Sequence, residues 1–164
     1  MNEETRMDKF SKNKAPRNDI VATASYYIGQ NNRDEKFGPA NEDGWCHYFV
    51  NSLLGKHGLR RPWEFGDEGG PNQMYDWAKE NGALVDESHV KSGDLIIENK
   101  DQGEEEAHVA IVENIDLING TVTTIDGNWD EEDDGNDQVV RRTFLLKNDD
   151  YSFIDGFISA DALK

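Results

Sequence analysis

The spacing of apolar residues changes once along this chain of 164 residues, and that change limits the folds open to it. Up to about residue 80, apolar residues recur every three or four positions, which is the period of an amphipathic helix. Beyond about residue 90, short apolar segments alternate with turn residues, a pattern typical of β-strands. Helices followed by an antiparallel meander predict an α+β fold, in which N-terminal helices pack on an antiparallel β-sheet.

The apolar pattern also gives approximate limits for each element. Helices are predicted over residues 18–28, 44–56 and 72–80, and strands over residues 95–97, 108–112, 122–126, 139–146 and 153–158. We interpret the polar residues 1–15 as a tail, and residues 16–164 as a single domain long enough to bury a core.

The formal net charge of −17 narrows the range of partners. Nucleic acid and anionic membrane surfaces would repel such a chain, so we expect neither as a partner. No stretch approaches the ~18 apolar residues of a membrane-spanning helix, and the first residues contain no apolar signal segment. We therefore expect synthesis in the cytoplasm, with any extracellular target reached by lysis, injection or delivery on a particle.

Cys46 is the only cysteine of the chain, so it cannot form an intrachain disulfide. Asp43 is a suitable N-cap residue and would place Cys46 in the first turn of a helix that ends near Lys56. The apolar face of this helix is formed by Cys46, Phe49, Val50, Leu53 and Leu54. The thiol then points inward at a helix N-terminus, where the positive end of the dipole favours a thiolate nucleophile. A buried cysteine that only packs is the alternative.

Four histidines are candidates for a base that would serve this thiol. His47 is adjacent in sequence, and ~100° of rotation per helical residue turns it toward the rim. His57 lies at the far end of the same helix, where the C-terminal dipole explains it better. His89 lies in a polar loop without periodicity. His108 opens an apolar strand directly after an acidic loop, so it is the best candidate by placement.

A residue on the following strand can orient the base. Asp126 and Asn128 share a face because side chains alternate along a strand, and either can accept the imidazole N–H. A two-residue hairpin loop at Asn119–Gly120 would put His108 and Asp126 on opposite faces of the sheet. We therefore predict a three-residue turn or a β-bulge between these two residues.

The chain contains, in this order, the segments WCHYFVNSLLGKHGL, SGDLII, HVAIVENI and TVTTIDGNW, followed by VVRRTF and IDGFI. This ordered set resembles the CHAP domain, the cysteine, histidine-dependent amidohydrolase/peptidase module. The family has a papain-like fold and is common in phage lysins and bacterial cell-wall hydrolases. The resemblance covers roughly residues 18–160. The related NlpC/P60 group is a weaker match, because its acid-cysteine-serine-glycine run and its third histidine are absent here.

The resemblance implies a role for each of four polar residues. Cys46 is expected to be the nucleophile and His108 the general base. Asp126 falls where the family has an acidic third member, and Asn128 falls where it has a further polar partner. We assign substrate contact to the two flanking tryptophans, Trp45 and Trp129.

We expect no metal or cofactor. Some phage members of the family bind calcium through an Asp-rich loop ahead of the cysteine and an acid just after it, and Tyr48 stands where that acid would be. Calcium stays open as an alternative because three acids remain ahead of the cysteine: Asp34, Glu35 and Asp43.

The resemblance implies an enzyme that hydrolyses bacterial peptidoglycan through a cysteine acyl-enzyme. The bond would be the N-acetylmuramoyl–L-alanine amide or a peptide bond of the stem or cross-bridge. Backbone N–H groups at the start of the cysteine helix would hold the oxyanion, with Asn31 or Asn32 as an added donor. A phage particle, a wall-targeting protein or an immunity protein are the expected partners besides peptidoglycan. The alternatives are an injected antibacterial amidase effector and a non-catalytic peptide-binding module on the same fold.

Two acidic runs, at residues 104–106 and 130–134, flank His108 and Asn128. We hypothesise that they rim the cleft and attract amino groups of the substrate. The alternatives are solvated loops that serve solubility, or a metal site in the second run.

Overall fold

A computed structural model describes residues 16–39, 44–102, 107–130, 135–147 and 153–164, and for residues 16–18 it describes the backbone alone. Its helices are α1 (Pro16–Tyr26), α2 (Cys46–Lys56) and α3 (Pro71–Glu80). All three predicted helices are confirmed within two residues at each end. The N-cap position of α2 is Trp45, which makes no side-chain capping bond, so the predicted cap was wrong. That residue, Asp43, lies outside the described residues, as does the predicted tail.

The strands are β1 (Leu84–Val85), β2 (Leu95–Glu98), β3 (His108–Asp116), β4 (Thr121–Trp129), β5 (Gln138–Leu145) and β6 (Ile154–Ile158). They form one antiparallel sheet in the order β1-β6-β2-β3-β4-β5. The five predicted strands and the α+β fold are confirmed. The sequence did not predict β1, because two half-buried residues carry no detectable period. None of the helices in the described ranges combines the length and hydropathy needed to cross a bilayer.

The main core lies between the helices and one face of the sheet. Its central helix, α2, buries the apolar face that the sequence predicted, including Phe49 and Leu53, against β3 and β4. Successive residues of the central strand β2 are all buried, because Leu95 and Ile97 face the helices while Ile96 packs into a second cluster on the opposite face. Each large apolar side chain buried in this way stabilises the fold by about 1.5–3 kcal/mol.

The C-terminus of α2 is closed by Gly58, which has a φ of +71°. The N–H of Leu59 donates to the carbonyl of Leu54 at 2.9 Å, the bond that defines a Schellman motif. His57 lies at this end and hydrogen-bonds through Nε2 to Thr23 Oγ1 at 2.8 Å. Burial lowers the pKa of His57, which favours the neutral ring. The structure therefore gives His57 a hydrogen bond to α1, and its neutral ring does not support the explanation by the helix dipole, which requires a charged ring.

A β-bulge between β3 and β4 sets the relative positions of the polar residues. The two strands are joined by a four-residue turn, residues 117–120, and not by the three-residue turn that was one of the two predicted alternatives. Their register shifts at Glu113, which is the extra residue on β3. This one-residue shift puts His108 and Asp126 on the same face of the sheet. The predicted bulge is thus confirmed.

Candidate active site

Cys46 is the first residue of α2, and its side chain is almost fully buried. The helix end can approach β4 closely because position 127 is a glycine. A Cβ atom there would lie 2.7 Å from Cβ of Phe49 and 3.0 Å from the ring of Trp45, closer than such contacts allow. The glycine at position 127 thus allows the thiol to lie against the sheet, whereas any side chain there would keep the helix farther away.

His108 is the first residue of β3 and faces this helix end. Its Nε2 atom lies 2.7 Å from Oδ2 of Asp126, a hydrogen bond that the imidazole donates. Since Nε2 is engaged, Nδ1 is the nitrogen that remains for the hydrogen bond with Cys46. His108 is 7% exposed, so the thiol, the imidazole and the carboxylate form a chain of contacts largely screened from water.

The charges of Cys46 and His108 stabilise each other. Burial alone would raise the pKa of Cys46, but the positive imidazole and hydrogen bonds from His108, His47 and the Val109 N–H lower this pKa to about 6. Burial alone would lower the pKa of His108, but the thiolate charge and the bond to Asp126 raise it to about 10. At neutral pH the pair is therefore a thiolate and an imidazolium, which is the reactive form of a cysteine nucleophile.

Asp126 is fully buried and has hydrogen bonds on both oxygens. Thr124 donates to Oδ1. Arg142 donates to Oδ2 from Nη2 at 2.6 Å and from Nε at 3.0 Å. Burial alone would raise the pKa of Asp126, but the hydrogen bond from His108 and the charge of Arg142 outweigh it and lower this pKa. The carboxylate therefore stays ionised beside the imidazole.

Asn128 lies where the regular alternation of β4 is interrupted. It has a left-handed φ of +58° and is half-buried. A Cβ atom on Gly44 would lie 2.6 Å from its Nδ2, so the amide packs on the turn before the helix. Among the described residues the only side chain that hydrogen-bonds to the ring of His108 from β4 is that of Asp126. Of the two alternatives, the structure places Asp126 in the orienting position.

The two tryptophans differ in what they can offer to a substrate. Trp45 is 7% exposed and stacks on Phe37 with the ring centroids 5.5 Å apart, so it packs in the core and has little surface for contact. Trp129 is half-buried, with its ring centroid 5.3 Å from that of His108. The assignment of substrate contact to Trp45 is thus at odds with its burial, whereas that to Trp129 stays a prediction.

Sequence reasoning missed three groups at this site. His47 was expected to point away, yet its side chain hydrogen-bonds to Cys46, because side chains in a first turn lean toward the helix N-terminus. Glu98 pairs directly with His108 across β2 and β3. Arg142 reaches Oε2 of Glu98 at 2.9 Å as well as Asp126. The segment VVRRTF marked a strand, but no local pattern shows which residues a strand will face.

The two asparagines expected to supply an oxyanion donor make hydrogen bonds within the loop after α1. Asn32 is buried, and its amide donates to the carbonyl of Gly38 and accepts from the N–H of Phe37, which closes the loop after α1. Asn31 accepts from the N–H of Arg33. The donor group of Asn32 is thus engaged by the loop backbone, whereas the bond of Asn31 involves only its oxygen, so the oxyanion role of Asn31 stays a prediction beside that of the backbone N–H groups at the start of α2.

Metal-type ligands come together at one place in the described part of the chain: Glu98, His108 and Asp126. The guanidinium of Arg142 already bonds to both carboxylates, so a cation is present there as a side chain. Asp34 is exposed and pairs with Lys36 at 3.6 Å. Glu35 is likewise exposed, and Asp43, the third acid of the calcium alternative, lies outside the described residues, as do residues 104–106 and 131–134 of the two acidic runs.

A thiol at a helix N-terminus, facing an imidazole that a carboxylate orients, is the arrangement used by cysteine hydrolases. The sequence matches the CHAP domain family over residues 38–128, which is more than half of its length. The chain belongs to the CHAP domain family. CHAP domains are generally hydrolase domains with amidase or peptidase activity, in a family associated with peptidoglycan. No curated protein and no solved structure matched the chain.

Proposed function

We propose that this protein is a peptidoglycan hydrolase that cleaves an amide bond through an acyl-enzyme on Cys46. The observation that supports the proposal most directly is the contact chain from Cys46 through His108 to Asp126. A structural cysteine needs no ionised imidazole beside it, whereas a nucleophile with a pKa near neutrality does. Amide hydrolysis by a cysteine nucleophile requires this arrangement.

The first half of the reaction would form the acyl-enzyme. The thiolate of Cys46 adds to the carbonyl carbon of the amide, and backbone N–H groups at the start of α2 stabilise the oxyanion. The imidazolium of His108 then gives its proton to the leaving nitrogen as the C–N bond breaks. Products of this half are a free amine and a thioester on Cys46.

The second half would return the enzyme to its starting state. His108, now neutral, takes a proton from water as the water oxygen adds to the thioester. The C–S bond breaks, a carboxylic acid leaves, and the thiolate and imidazolium form again. Asp126 holds the ring in one orientation and stabilises its positive charge in both halves. Trp129 lies beside His108 and is the aromatic surface that we assign to substrate contact.

The substrate bond and the delivery route are parts of the same proposal. We infer that the bond is the N-acetylmuramoyl–L-alanine amide or a peptide bond of the stem or cross-bridge. The protein would be made in the cytoplasm and reach the wall by lysis, injection or a particle. A wall-targeting or immunity protein would be its partner, and neither a metal nor a cofactor enters the proposed reaction.

The test is digestion of purified peptidoglycan, with the released fragments identified by mass spectrometry. We expect fragments from the wild type and none from Cys46→Ala, and the masses will show which bond is cut. His89→Ala is the matched control, because His89 is exposed and pairs with Asp86. Wild-type protein that binds peptidoglycan of several cross-bridge types and releases nothing would overturn the proposal in favour of a binding module.

A further inference from the structure

Two buried charged residues that the reaction does not use, Arg142 and Glu98, adjoin the proposed triad at Asp126. Arg142 on β5 bonds to Asp126 on β4 and, through Nη2, to Glu98 on β2. The side chain of Arg142 is 9% exposed, and those of Glu98 and Asp126 are 1% and 0% exposed. A buried guanidinium that bridges two buried carboxylates requires an explanation, because ions are costly to remove from water.

The position of the guanidinium is fixed from several sides. Its carbon atom lies 3.8 Å from the centroid of Trp129 and 4.5 Å from that of Phe144. Such contacts hold a planar cation in one orientation. Oδ2 of Asp126, the oxygen that accepts from His108, also accepts two N–H groups of Arg142. The atom that orients the imidazole is thus itself held from the neighbouring strand.

Charge balance shows what Arg142 adds to this geometry. One side-chain nitrogen or oxygen atom from each of Glu98, His108 and Asp126 lies within 4.8 Å of the other two. Two carboxylates this close in a buried site retain a proton between them unless a cation compensates them. The titratable and charged groups around the His108–Asp126 pair come from four elements: Cys46 and His47 on α2, Glu98 on β2, His108 itself on β3 and Arg142 on β5.

We propose that Arg142 is a positioning residue that compensates the second carboxylate, Glu98, so that Asp126 stays ionised and hydrogen-bonded to His108. Without the guanidinium, a proton shared by the two acids would leave Asp126 neutral for part of the time. A neutral Asp126 stabilises the imidazolium of His108 less than an ionised one does. His108 is then protonated for a smaller part of the time, and the Cys46 thiolate is less stable. The inference rests on the roles proposed above for Cys46, His108 and Asp126, but its test does not need peptidoglycan.

The measurement is the rate of alkylation of Cys46 by iodoacetamide as a function of pH. Because Cys46 is the only cysteine, the label reports on that site alone. Only the thiolate reacts, so the acid limb of the profile follows thiolate formation. We expect Arg142→Met to move this limb to higher pH by about one unit. We expect Arg142→Lys, which keeps the charge, to stay close to the wild type.

The double variant Arg142→Met/Glu98→Gln distinguishes charge balance from a purely structural role. Removing the second carboxylate lets Asp126 ionise with His108 as its only counter-ion, so we expect the acid limb to return toward the wild-type position. If Arg142→Met does not fold, recovery of the folded state in the double variant supports the same conclusion. An unshifted limb in folded Arg142→Met, no recovery in the double variant, or loss of folding in both, would overturn the inference.

This experiment separates the inference from the proposed function. A shifted and rescued alkylation profile in a protein that cleaves no peptidoglycan would leave the inference standing and remove the function. Peptidoglycan cleavage that depends on Cys46, with identical profiles in the wild type and Arg142→Met, would do the reverse.

Discussion

The two sides of the His108 ring are built in different ways. On the helix side, the thiol comes from one short segment whose apolar period, glycines and turn residues all belong to residues 44–58. On the sheet side, Asp126, Glu98 and Arg142 come from three strands and meet only through register and strand order. The comparison shows that a nucleophile can be set by local sequence, whereas the charge that tunes its base depends on the assembled sheet.

Removing the imidazole of His108, which contacts both sides, should have the largest effect on activity. We expect His108→Ala to lower kcat/KM for peptidoglycan digestion by about 10⁴-fold or more, because proton transfer and thiolate formation both depend on the imidazole. The measurement is the initial rate of fragment release, with His89→Ala as the control at a solvent-exposed histidine. A loss of less than tenfold would show that another base serves Cys46.

The sheet side can be tested by comparing Asp126 with Asn128. We expect Asp126→Asn to lower kcat by about 10²- to 10⁴-fold, because it removes the charge that stabilises the imidazolium. Asn128→Gly removes the other side chain while permitting the same left-handed backbone, and we expect it to lower kcat by about tenfold at most. Equal losses in the two variants would contradict the assignment of Asp126 as the residue that orients His108.

The contact between the two sides depends on Gly127. We expect Gly127→Ala to destabilise the protein by about 1–3 kcal/mol and to lower the rate of digestion, since the new methyl group would meet Phe49 at 2.7 Å. Gly156→Ala is the matched strand control, because its nearest contacts lie at an ordinary 3.4 Å. The readout is the midpoint of thermal unfolding. Equal midpoints for the two variants would mean that α2 moves away from β4 without strain.

The pH dependence tests the pairing of thiolate and imidazolium. The lowered pKa of Cys46, about 6, predicts that kcat/KM rises with pH through this value as the thiolate forms. The raised pKa of His108, about 10, predicts that activity falls above it as the proton needed by the leaving amine is lost.

The smallest effect is expected on the helix side, at His47. We expect His47→Phe to move the acid limb of that profile to higher pH by less than about one unit, because one of several groups that stabilise the thiolate is removed. A profile with its acid limb near the ordinary pKa of cysteine in the wild type would contradict the ion pair itself.

The sequence predicted most of the helix side of the site and part of the sheet side. Cys46 and His108 were predicted from position within an element, which apolar periodicity and turn residues determine locally. The bulge at Glu113 was predicted because parity alone required an extra residue between His108 and Asp126. Strand alternation does not hold at Asn128, where φ becomes positive, so the role of Asn128 stays a prediction.

Arg142 and Glu98 were missed for a different physical reason. They are 44 residues apart and lie on strands that are not neighbours in the sheet, so their contact depends on the order β2-β3-β4-β5. Two further contacts, from His47 and from the N–H of Val109, depend on side-chain and backbone orientations at the helix end that no spacing rule includes.

The most direct test of the central claim is to look for the acyl-enzyme. A soluble peptidoglycan fragment would be mixed with the wild type, quenched in acid before the first turnover is complete, and the intact protein weighed. The predicted result is a transient mass increase equal to the acyl part of the fragment, located on the peptide that contains Cys46 and absent from Cys46→Ala. Release of product while Cys46 stays unmodified at every quench time, or release by Cys46→Ala, would contradict it.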